Sequence, residues 1–98
     1  MKRIALLLAL VPLAARAEDH RIIQKDRHFT PPQITIKVGD SLTFTNDDEF
    51  IHQMYSDALF DSDERKPGQA LTQAFTRSGT FEVRCHIHPK MKLVVHVN

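Results

Sequence analysis

Apolar and polar residues alternate with a period of two through most of this chain. Ile34, Ile36 and Val38 alternate with polar positions up to Gly39-Asp40, Leu42 and Phe44 continue in step to Asn46, and Phe81, Val83 and Cys85 alternate with Glu82, Arg84 and His86. Alternation of this kind puts one face of a strand into a core and the other into water. Further strands are expected over 20–24, around 71–76, closed by Ser78-Gly79, and from about 92 to 97. About six or seven short strands separated by turn residues predict an all-β fold, an antiparallel Greek-key β-sandwich in a single small domain. Pro31-Pro32 puts Phe29 and Thr30 on an edge or in a connection. The stretch 57–69 is rich in charge, contains Pro67-Gly68 and reads as a long irregular connection.

The first residues break the pattern. Lys2 and Arg3 precede an apolar run from Ile4 to Leu13, which meets Ala15-Arg16-Ala17. A basic start, a short apolar run and a small-residue cleavage pattern describe a secretory signal peptide over 1–17, removed after Ala17. The run is far shorter than the roughly 20 residues that span a bilayer, so no membrane span is expected in the mature chain. Residues 18–98 then form the working domain, and export implies a periplasmic location. Three of the 13 basic residues leave with the signal, so 10 face 12 acidic ones, and a net charge of −2 gives no nucleic-acid footprint. Asp47, Asp48 and Glu49, with Asp57, Asp61, Asp63 and Glu64, read as acidic loops that solvate the domain or steer a basic partner.

The chemistry sits at the C-terminal end, in Cys85-His86-Ile87-His88-Pro89-Lys90-Met91, with His52 upstream. One thiolate, two imidazoles and a thioether make the set that holds copper in a plane of two His and one Cys with a weak axial Met. Such a set accommodates Cu(I) and Cu(II) alike, which suits one-electron transfer. With one Cys in the chain, a zinc site of four Cys, or of two Cys and two His, is excluded. Cys85, His88 and Met91 lie three residues apart, so one tight loop can aim all three at a point, while His86 faces the other way if the strand runs to Cys85. A thiol hydrolase would need an oriented base and an oxyanion site, and no motif supplies them, so no enzyme is expected.

These residues carry a family resemblance. The loop Cys85-x-x-His88-Pro89-x-Met91, with Asn46 six residues before His52, is similar to the ligand segments of cupredoxins of the plastocyanin and amicyanin type. The resemblance implies one type 1 copper held by His52, Cys85, His88 and Met91, with Asn46 tying the two ligand loops together. It implies a monomeric electron carrier that exchanges electrons through the edge of His88, framed by Ile87 and Pro89. Its partners would be periplasmic redox proteins: a c-type cytochrome, a dehydrogenase or a reductase. The alternative expectation is a copper-binding protein for sequestration, resistance or delivery, with His86, His28 and Met54 as extra weak contacts.

Overall fold

The computed structural model describes residues 17–57 and 59–98, so the expected signal peptide, apart from Ala17, lies outside the described residues. Among the described residues nine strands run in chain order: β1 (Asp19–Lys25), β2 (His28–Thr30), β3 (Gln33–Ile36), β4 (Ser41–Asn46), β5 (Met54–Ser56), β6 (Phe60–Asp61), β7 (Ala70–Ala74), β8 (Gly79–Cys85) and β9 (Lys92–Val97). They form two sheets, ordered β2-β1-β4-β7 and β3-β9-β8-β5-β6. The sandwich is therefore as expected, but its sheets are mixed and not purely antiparallel. β1 pairs parallel with β4 and β3 parallel with β9, because each partner is reached by a connection that crosses between the sheets. Among the described residues no helix is long and apolar enough to cross a membrane.

Alternation builds the core as the sequence dictates. Ile22 of β1, Leu42 and Phe44 of β4, Val83 and Cys85 of β8, and Leu93, Val95 and Val97 of β9 turn inward and are buried. Phe29 packs edge-on against Phe44, with ring centroids 6.0 Å apart, so the short edge strand β2 is anchored by one aromatic ring. Toward one end of the sandwich the inward rows change character. Ile22 is followed by Gln24, Phe44 by Asn46 and Val83 by Cys85, all buried, so polar and soft atoms replace hydrocarbon where β1, β4 and β8 finish.

The same end carries an unusual turn. Asp26 and Arg27 join β1 to β2 with φ of 53° and 62°, the geometry of a two-residue type I′ hairpin. Asp tolerates that conformation, but it costs an ordinary L-residue such as Arg27 about 1–2 kcal/mol. The compensation comes from Asp48, whose Oδ1 accepts the Asp26 N–H at 2.6 Å and whose Oδ2 accepts that of Arg27 at 3.4 Å.

Candidate metal centre

Three segments bring the expected ligands to that end. Cys85 closes β8 on its inward face and pairs in register with Met54 of β5. His52 lies two residues before Met54 and shares its buried face. It is held by reciprocal backbone hydrogen bonds with Arg65, His52 N to Arg65 O at 3.0 Å and Arg65 N to His52 O at 2.7 Å. The result places His52 Nδ1 3.5 Å from Cys85 Sγ, with both residues fully buried. The Gln53 N–H also points at Sγ, 3.5 Å away, and the His86 N–H donates to Gln53 O at 2.8 Å. The sulfur is thus flanked by an imidazole and a backbone amide.

The loop after Cys85 folds back at once. Met91 N–H donates to His88 O at 2.9 Å, a turn that returns Met91 to the core cluster containing Cys85. The His88 ring lies 5.9 Å from that of His52, and Phe50 contacts both, at 5.1 Å and 5.2 Å between centroids. His88 Nε2 is buried with no hydrogen-bond partner. A buried polar atom left alone asks for an explanation, and a metal beside two imidazoles and a sulfur supplies one. The donor set therefore fits copper. Arg27 lies over Phe50 at 5.1 Å, roofing the aromatic wedge with a guanidinium.

Asn46 departs from its expected role. Its Nδ2 donates to Phe50 O at 2.9 Å and to Arg65 O at 2.8 Å, and its Oδ1 accepts Asp48 N–H at 2.9 Å. It braces the His52 loop against the segment before β7, and the link to the Cys85 loop is made by Gln53. Asp48 was expected among solvated acids, yet it is buried and its Oδ2 lies 2.7 Å from His52 Nε2. Burial pushes its carboxyl up, but the hydrogen bonds from His52, then from the Asp26 and Arg27 amides, outweigh that and hold it below its ordinary value. The i, i+4 spacing of Asp48 and His52 was the only trace of this pair in the sequence. Phe50 left no trace beyond its proximity to His52.

The other side chains considered take different positions. His86 is exposed on the opposite face, stacked on Tyr55 at 4.1 Å and bonded through Nε2 to Asp61 at 3.0 Å. Met54 is fully buried in the core, while His28 and Glu49 are exposed. Among the described residues one other group of three metal-binding side chains converges, Glu18, His20 and Asp40, at the opposite end where β1 and β4 begin. There the Asp40 carboxylate is already engaged by the Glu18 N–H, the Lys37 N–H and His20 Nε2 at 2.9–3.1 Å.

The cupredoxin-like domain family matches residues 3–95. Amicyanin of Paracoccus denitrificans is 29% identical over 70 residues, covering 65% of this chain and 53% of its own length. The methylamine utilization protein MauL of Methylorubrum extorquens is 27% identical over 94 residues, covering 92% of this chain and 82% of its own. Among solved structures, a purple cupredoxin from Nitrosopumilus maritimus superposes with a TM-score of 0.77 at 26% identity, over 82% of this chain and all of the other.

Proposed function

The chain belongs to the cupredoxin-like family, and we propose that it is an exported, periplasmic one-electron carrier with a single type 1 copper. His52, Cys85, His88 and Met91 would hold the metal, with the thioether of Met91 as the weakest donor of the four. The observation that carries this reading is the convergence of His52 Nδ1 and Cys85 Sγ, 3.5 Å apart in a fully buried setting, beside the unpartnered Nε2 of His88. When bound, copper supplies the change between Cu(II) and Cu(I). The chain's part is to hold the donors in one arrangement for both states and to keep water from the sulfur. No substrate is transformed.

Residues 1–17 are proposed as the cleaved signal and 18–98 as the exported domain, acting as a monomer. Electron exchange would occur beside His88, where a depression of about 510 Å³ is lined by Asp26, Arg27, His28, Ile87, Pro89 and Lys90 along with His88 and Met91. Among the described residues Ile87 is one of two large apolar residues left exposed, which suits brief apolar docking of a redox protein such as a c-type cytochrome, a dehydrogenase or a reductase. The test is stoichiometric Cu(II) addition to the apoprotein of residues 18–98, followed by absorption and EPR spectra. One copper per chain with an intense thiolate-to-Cu(II) band is expected, and Cys85→Ser should abolish the band. An intense band that survives in that variant would overturn the ligand assignment. Rapid loss of copper to an acceptor protein, with slow electron exchange, would replace the carrier by a copper-delivery protein.

A further inference from the structure

Asp48 is fixed from four directions. Asn46 Oδ1 holds its backbone N–H at 2.9 Å, the two amides of the β1–β2 turn donate to its carboxylate, and His52 Nε2 lies 2.7 Å from Oδ2. Its side chain is 4% exposed and that of His52 is 0% exposed. Both oxygens of the Asp48 side chain already face backbone N–H donors and so act as acceptors, which places the hydrogen between it and His52 on Nε2. A neutral imidazole carries one such hydrogen. Nδ1 is then left with its lone pair directed at the side where Cys85 Sγ lies.

From this arrangement we infer that Asp48 is a positioning residue that selects the Nε2–H tautomer of His52 before any metal arrives and biases the site toward the more highly charged metal state. The inference rests on the ligand reading above and deepens it. Hydrogen bonding to a carboxylate raises the basicity of the opposite ring nitrogen and fixes the ring's orientation. The buried negative charge favours a dication over a monocation by simple Coulomb attraction, and the surrounding protein screens it less than water would. The same carboxylate holds the strained Asp26-Arg27 turn, and that turn carries the guanidinium roof of Phe50. Ligand orientation and the wall of the depression beside His88 therefore share one anchor.

Two measurements test the inference. In the wild-type apoprotein, ¹⁵N-resolved NMR of the His52 ring should show Nε2 protonated and Nδ1 bare, and a dominant Nδ1–H tautomer would overturn it without any variant or metal. Asp48→Asn keeps the shape of the side chain and removes its charge. It should bind Cu(II) about 10–100-fold more weakly, the range seen when such outer partners are changed, with a much smaller loss for Cu(I). The reduction potential should then rise by about 59 mV for each tenfold change in the affinity ratio. A purely structural Asp48 would lower the melting temperature of the variant and weaken both oxidation states equally, leaving the potential where it was; that result would overturn the inference. The failure of the wild-type protein to show a thiolate band would instead count against the ligand assignment, while the tautomer measurement still reads the Asp48–His52 bond.

Discussion

At the scale of single residues, Met91 has two roles that can be separated. It is 2% exposed and belongs to the same buried cluster as Cys85, Leu93 and Val95. Leu fills nearly the same volume without a donor atom, and such swaps usually cost less than about 1.5 kcal/mol. Met91→Leu should therefore leave the fold intact and, under the proposed ligand set, leave copper bound and raise the reduction potential, because the proposed thioether donor would be gone. Voltammetry of the two proteins checks this, and an unchanged or lower potential would take Met91 off the axis. Cys85, His88 and Met91 were legible in the sequence because a single turn joins them, so their spacing along the chain is nearly their spacing in space. Asp48 was not. What buries it is the β1–β2 turn, whose amides reach it from 22 positions away in the chain, and no local pattern reports that closure.

At the scale of elements, alternation marks some strand bounds and overshoots others: β3 ends at Ile36, short of Val38, which is exposed. β9 runs Lys92–Val97 as read, since Leu93, Val95 and Val97 must all face inward. β6 was not foreseen as a strand, and β2 only as the edge alternative for Phe29 and Thr30: two and three residues are too few to display a period, and pairing with β5 and β1 decides them. The parallel pairing of β1 with β4 is likewise invisible in a pattern that encodes faces and not neighbours. One turn residue holds that pair in place. Asp40 follows Gly39, whose φ of 97° suits the turn between β3 and β4, and its carboxylate gathers the Lys37 and Glu18 amides and His20. The Lys37 N–H first, then the Glu18 N–H and His20, lower its pKa from 3.8 to about 2. A carboxyl with a depressed folded pKa adds stability above its unfolded value and loses it as pH falls through the folded one. Asp40→Asn should therefore be less stable than wild type at neutral pH, and the gap should close between pH 3.8 and about 2. Urea midpoints against pH measure the gap, and a gap independent of pH would refute the ionic role.

At the scale of the molecule, the candidate centre joins residues that lie far apart along the chain. His52 and Cys85 are 33 positions apart, and the segment between them includes the short strand β6 and the half-exposed, polar β7. The single Cys leaves no internal disulfide to close that loop, and a domain of this size is marginal on hydrophobic burial. A metal bound by both residues closes it in the folded state only, so binding free energy adds to folding free energy. With free copper at a thousand times its Kd, linkage gives about 4.1 kcal/mol. In a domain of 60–100 residues each kcal/mol moves Tm by about 4–8 °C, so copper should raise Tm by roughly 15–30 °C, and a chelator should reverse the gain. Calorimetry of apo and loaded protein reads this directly. The control is Cys85→Ser, which keeps the size and loses the soft donor: an equal rise in that variant would mean that copper stabilises the fold from somewhere other than the Cys85–His52 junction.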